Sequence, residues 1–320
     1  MGRPAVSLLL LAAACGPPPA NAPRERVTIP PRATVRVVAE SLASHGIISS
    51  RAWFRVLAKV GGYERRLRIG TYELPRGSGA RSALRAIASG KAVLLRFTVP
   101  EGLTLLEIAE IANRTLDIPA ADFLAAARDP VLLREFAVPA SSFEGFLRPE
   151  TYLFAPGVEA ATLVRTMAET FRQDWDPRWT DMAAAQNLDR LSVVTLASIV
   201  EGEAAIDSDR PLVAAVYRNR LRLGMPLQAD PTVQYAIQVA TGDRKPRLYE
   251  KDYSFESPYN TYLHPGLPPG PVGAPGSKSI EATLAPAPVP YLYFVAGPGG
   301  GHIFSRSYAE HLRAIRRLRR

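Results

Sequence analysis

The apolar positions of the N-terminal third repeat themselves. Val27-Thr28-Ile29-Pro30 alternates like a strand. It is followed by Thr34 and by a helical pattern with Val35, Val38, Ala39 and Leu42 at i, i+3, i+4 and i+7. Phe97-Thr98-Val99-Pro100, Thr104, Leu105, Ile108, Ala109 and Ala112 reproduce this at an offset of 70 residues without gaps. Both copies run on into a second apolar pair, Trp53-Phe54 after Ile48 and Phe123-Leu124 after Ile118. The pattern predicts a duplicated strand–helix–helix unit, with further strand-like runs over 66–74 and 92–99.

Residues 192–233 have a different character. Val193, Val194, Leu196, Ala197, Ile199 and Val200 leave almost no polar surface, which predicts a core helix, and that helix ends in Glu201. A carboxyl held against apolar surroundings resists ionisation, which lifts its pKa toward the range useful for general acid catalysis. The bland reading is an acid that pairs with an arginine or is simply the first residue to reach water. Ser208 or Asp209 with Pro211 then predicts a second helix start, and Gly224 its end. Asp230-Pro231 predicts a third start. Two helix termini thus converge on the end of the apolar helix. They bring Asn219, Gln228 and Asp230 as polar groups around Glu201.

Beyond these lie an aromatic, proline-broken segment over 143–154 and a helical pattern over 160–171. Residues 257–276 hold too many glycines and prolines for regular structure and predict a loop forming one wall of a cleft, with Tyr259, Asn260, Thr261 and Tyr262 inward. Residues 291–295, a glycine turn over 297–301 and His302-Ile303-Phe304 predict a closing hairpin. Separate helical runs and short glycine-bounded strands argue for an α+β fold rather than a doubly wound parallel sheet.

The series ASIVEGEA, AAVYRNRLRLGMPLQADPTVQYA, SPYNTY with GLPPGPVGAPG, YLYFVAGPGGGHIFS and FEGFLRPETY resembles the YceG-like family of endolytic murein transglycosylases, from about Val27 to the C-terminal region. The resemblance implies cleavage of peptidoglycan between N-acetylmuramic acid and N-acetylglucosamine by attack of the muramic acid C6 hydroxyl, leaving a 1,6-anhydro end. One carboxyl can serve such a reaction as acid and then as base, where ordinary glycosidases use two. The resemblance assigns that role to the glutamate of the SIVE element, Glu201. Glu203 also matches a family position, but two residues along a helix it points to another side. Asn219, Gln228, Asp230, Asn260 and Tyr262 are the expected substrate-orienting groups. A LysM-like domain over 27–95 ahead of a catalytic domain over 96–320, and a role in limiting nascent glycan length beside the synthesis machinery, are implied by the resemblance alone.

Composition adds a compartment and removes rival chemistries. The net charge of +9 suits peptidoglycan or an anionic lipid surface, and no nucleic-acid module accompanies it. Arg3 precedes an apolar run from Ala5 to Ala14, too short to span a bilayer, and Cys15 follows as the only cysteine. This predicts a signal peptide over 1–14, lipidation at Cys15 and a tether over 15–26; ordinary cleavage after Ala14 or Ala22 is the other reading. The enzyme is then expected on a bacterial membrane with its catalytic part outside the cytoplasm. His45, His264, His302 and His311 form no HExxH pair, no lysine has a serine three residues before it, and no P-loop is present, so neither metal nor cofactor is expected. The serious rival is a non-catalytic, glycan-binding wall protein in which Glu201 is only a helix-end residue.

Overall fold

The computed structural model describes residues 21–319. The expected signal peptide and Cys15 lie outside them. Their fold is α+β, mostly helical with three two-stranded sheets. It divides into two compact units, the described residues up to Arg96 with Leu153–Gly157, and Phe97–Tyr152 with the chain from Val158 on. No helix among the described residues is long and apolar enough to cross a membrane.

The first unit contains β1 (Arg24–Ile29), α1 (Val35–Ser44), α2 (Arg51–Val60), β2 (Gly70–Pro75) and α3 (Gly79–Ser89). β1 and β2 are antiparallel, with Thr28 opposite Thr71 and their hydroxyls 2.9 Å apart. Thr34 and Ser50 cap the two helices that the apolar spacing predicts, each side chain accepting a backbone N–H of the first turn. Val27, Val38, Leu42, Phe54, Tyr72 and Leu84 meet in a core belonging to this unit alone.

The second copy of the motif recurs as β3 (Leu95–Thr98), α4 (Leu105–Leu116) and α5 (Ala120–Ala126). Thr104 and Glu107 close a full capping box at the start of α4. After α6 (Pro130–Glu135), β4 (Thr151–Phe154) pairs with β3, and the Thr98 and Thr151 hydroxyls lie 3.0 Å apart. The duplication therefore runs further than the sequence pattern suggests. Leu67-Arg68 and Thr71-Tyr72 correspond to Leu147-Arg148 and Thr151-Tyr152. In each copy the tyrosine hydroxyl donates to the arginine carbonyl, at 3.0 and 2.7 Å. The offset here is 80 rather than 70, because the second copy inserts residues after its helix pair, and that broke the register of the repeat.

The remainder is α7 (Ala160–Asp174), α8 (Pro177–Ala184), α9 (Arg190–Glu203), α10 (Arg210–Arg222), α11 (Asp230–Thr241), α12 (Ser277–Leu284), the antiparallel hairpin of β5 (Tyr293–Ala296) and β6 (His302–Ser305), and α13 (Tyr308–Leu318). Asp189 caps α9, and Val193 to Val200 are buried on every face. At about 1.5–3 kcal/mol for each large apolar side chain withdrawn from water, this helix is the natural centre of the unit. Leu196, Ile199 and Val200 pack with Val213, Ala214 and Tyr217 of α10, and with Leu227, Tyr235, Val272 and Ala282. The glycine- and proline-rich loop over 257–276 contains no helix or strand, as expected, and its last seven residues are buried.

Candidate active site

Both glutamates at the end of α9 are held, and they are held differently. Glu201 has a side chain only 7% exposed. Arg210 donates to its Oε1 at 2.8 Å, while the Ser279 hydroxyl and the Gly276 N–H donate to its Oε2 at 2.8 and 3.0 Å. Arg210 continues to Asp207, which also pairs with Lys278. Glu101 lies beside the same knot, so close to the Gly276 backbone that an added Cβ there would meet its carboxylate at 1.9 Å. Burial first, and then the charge of Glu201, raise the Glu101 pKa. The surroundings of Glu201 are thus not the apolar ones its helix implied. A guanidinium, a hydroxyl and a backbone N–H engage both of its oxygens and tie α9 to the starts of α10 and α12.

Glu203 points elsewhere, into a cavity of about 270 Å³ lined by Tyr217, Arg220, Leu227, Gln228, Asp230, Tyr262, Phe294 and His302, among others. Tyr217 donates to its Oε1 at 2.8 Å. Burial of the carboxyl pushes its pKa up to about 7, the hydrogen bond from Tyr217 opposes that rise, and the nearby negative charge of Asp230 adds to it. Gly202, between the two acids, makes the placement possible. A Cβ there would come within 2.7 Å of the Pro231 ring, so only glycine lets the end of α9 rest on the start of α11.

The predicted polar groups separate into two kinds. Gln228 and Asp230 do converge on the end of α9, but on Glu203 rather than Glu201. Gln228 is exposed at the cavity wall with φ +50°, its backbone N–H donating to the Thr261 carbonyl at 3.0 Å. Tyr262 lines the same cavity and donates to Asp230 Oδ1 at 2.6 Å. Asn260, by contrast, is fully buried. Its amide donates to the carbonyls of Tyr253 and Phe255, and its Oδ1 accepts the Tyr262 N–H, so it shapes the loop that delivers Tyr262. Asn219 donates to the carbonyls of Val289 and Tyr291, fixing α10 to the segment ahead of β5, and does not line the cavity.

Further polar and aromatic residues also form the wall. Tyr217 is one. Arg220, only 7% exposed, spends its donors on the carbonyls of Leu292 and Leu227, both at 2.7 Å, and brings a positive charge to the cavity edge. His302 directs its backbone N–H to Asp209 Oδ2 at 2.7 Å and its Nδ1 to the same oxygen at 2.9 Å. A carboxylate can only accept, so Nδ1 carries the hydrogen. Phe294 packs edge-on against Tyr217. The helical spacing of Tyr217 and Arg220 hid them among core positions, while His302 and Phe294 come from a hairpin distant in sequence.

Known proteins carry the same arrangement of sequence. Residues 27–317 match the YceG-like family. An endolytic murein transglycosylase of Bacillus subtilis (strain 168) is 30% identical over 90% of this chain and 83% of its own length. One from Streptococcus pneumoniae (serotype 2, strain D39) is 30% identical over 89% of this chain and 58% of its own. A crystal structure of a yceG-like protein from Listeria monocytogenes, 30% identical, superposes with a TM-score of 0.63 over 92% of this chain and 99% of that one. With a family match spanning both units and a relative covered over most of its length, the chain belongs to the YceG-like family.

Proposed function

We propose that the protein is an endolytic murein transglycosylase that cleaves peptidoglycan glycan strands, and that Glu203 moves the proton. The observation that carries this is the Glu203 carboxyl, its pKa near 7, facing a polar cavity beside Asp230, Gln228 and Tyr262. At neutral pH such a group is present in both forms, which suits a residue that must first give a proton and then take one. Protonated Glu203 donates to the glycosidic oxygen between N-acetylmuramic acid and N-acetylglucosamine as that C–O bond breaks. The resulting carboxylate accepts the hydrogen of the muramic acid C6 hydroxyl as its oxygen bonds to C1. No water is consumed and a 1,6-anhydro end remains.

Asp230 contributes twice. Its charge favours the protonated form of Glu203 before reaction, and it stands near the positive charge that develops at C1. Tyr262 fixes its orientation. Gln228 is the neutral donor and acceptor with room to meet sugar hydroxyls. The motif-based assignment to Glu201 is the competing reading, favoured by the second carboxyl, Glu101, at its side. Against it stand the Arg210 ion pair and the hydrogen bonds from Ser279 and Gly276, which engage both carboxylate oxygens of Glu201 in contacts within the protein.

The relatives' names, endolytic murein transglycosylase, support a location in the cell envelope. Attachment by a lipid on Cys15, a catalytic part outside the cytoplasm, a LysM-like glycan-binding role for residues 27–95 and work beside the synthesis machinery complete the reading. The test is to incubate purified protein with murein sacculi and weigh the soluble products. The account expects muropeptides with anhydro ends, one water lighter than hydrolysis products, from cuts within strands. A wall-binding protein without activity would release nothing.

A further inference from the structure

The two parts of the chain differ sharply in charge. Residues 21–96 hold 15 Lys and Arg against 4 Asp and Glu, a net +11, whereas residues 97–320 hold 23 against 26, a net −3. Among the described residues of the first unit, only Arg76 lies within ion-pair distance of a carboxylate. Three of these cations surround a hollow of about 340 Å³ walled by Arg65, Arg66, Leu67, Arg68 and Ala88, with no acid in its lining. Three guanidiniums around one hollow repel one another, and an anion relieves that repulsion.

Exposed apolar side chains lie beside these cations in the chain. Val60, at the end of α2, is 82% exposed and Ile69 is 61% exposed. Trp53 and Val56 extend the row from Val60 along the outer face of α2, at 47% and 48%, next to Lys59. The turn after α2 folds back on it, with the Tyr63 N–H donating to the Ala58 carbonyl and the N–H groups of Arg66 and Leu67 to that of Tyr63. The end of α2 and the arginine segment are thereby held together.

We propose that this face of the first unit docks on an anionic lipid bilayer, lipid phosphates entering the arginine hollow and Trp53, Val56 and Val60 entering the headgroup boundary. The pairing of the two features selects the partner. Murein peptide carboxylates would satisfy the arginines but offer nothing to an 82% exposed valine, and a nucleic acid would offer only stacking to Trp53. Charge complementarity is strongest for this unit, into which the apolar run from Ala5 to Ala14 leads.

The experiment uses a chain beginning at Asn21, which keeps every residue of the first unit's core and removes any N-terminal anchor. Flotation with vesicles of phosphatidylglycerol and phosphatidylcholine should carry the protein up, and vesicles of phosphatidylcholine alone should not. Arg65, Arg66 and Arg68 are exposed, so their joint replacement by Gln leaves the fold intact and should weaken binding roughly a hundredfold, about fivefold for each cation lost near the surface. Val60→Asn should weaken it with every charge of the unit untouched. Equal flotation with neutral vesicles, undiminished binding by the triple variant, or retention on sacculi with no vesicle binding would each overturn the proposal.

Discussion

Replacing Asp230 by Asn removes a negative charge that favours the Glu203 proton, so the Glu203 pKa drops and the alkaline limb of kcat/KM moves to lower pH. Tyr217→Phe does the opposite. It deletes a hydrogen bond that stabilises the carboxylate, and the limb moves to higher pH. In the wild type, activity that needs protonated Glu203 falls as pH rises through about 7. Profiles of the three proteins on sacculi check the order. The sequence made the acidic helix end legible, along with Gln228, Asp230 and Tyr262 as its polar company. It did not reveal which acid they surround, because one glycine separates the two and the apolar pattern of α9 is the same whichever carboxyl faces the cavity. Asn219 and Asn260 share the residue type of substrate-binding groups, yet their hydrogen bonds go to backbone carbonyls that no local pattern exposes.

At the scale of elements, the site depends on how closely α9 approaches α11. Gly202→Ala inserts a methyl into the Pro231 ring, and overpacking of this kind costs about 1–3 kcal/mol. Because the strain falls between the two acids, the loss of turnover should exceed what the shift in thermal midpoint accounts for. Calorimetry and product release on the same sample check this. The strand–helix–helix repeat is legible from the spacing of its apolar residues, and Thr34 and Thr104 prove to cap the helices that the spacing predicts. The returning strand of the second copy was not, since the insertion after the helix pair moved it out of register. The glycine turn between two short apolar runs also makes the hairpin of β5 and β6 legible, whereas its contribution of His302 to the cavity wall depends on a tertiary contact with Asp209.

The whole molecule carries a further buried acid with a different task. Glu144 accepts the Leu105 N–H at the start of α4, at 3.2 Å, and the Tyr235 hydroxyl of α11, at 3.2 Å. It joins elements far apart in sequence. Burial pushes its pKa from 4.5 up to about 8 in the folded protein. The folded state therefore holds a proton that the unfolded chain releases above its ordinary carboxyl pKa. Stability from this group is complete below about 4.5 and is lost as pH rises to about 8, by at most about 1.4 kcal/mol per pH unit. Glu144→Gln should flatten that decline in a urea titration series between pH 5 and 8. A variant that declines as steeply as wild type would remove Glu144 from the account.

The most direct test is paired substitution at the end of α9, with release of anhydromuropeptides from sacculi as the readout. Glu203→Gln keeps the shape and the Tyr217 contact but cannot shuttle a proton, and it is predicted to release none while unfolding at the wild-type temperature or above. Glu201→Gln weakens the tie to Arg210 and is predicted to lower stability while retaining measurable release. Wild-type release by Glu203→Gln, with none from a folded Glu201→Gln, would contradict the account and return the chemistry to Glu201.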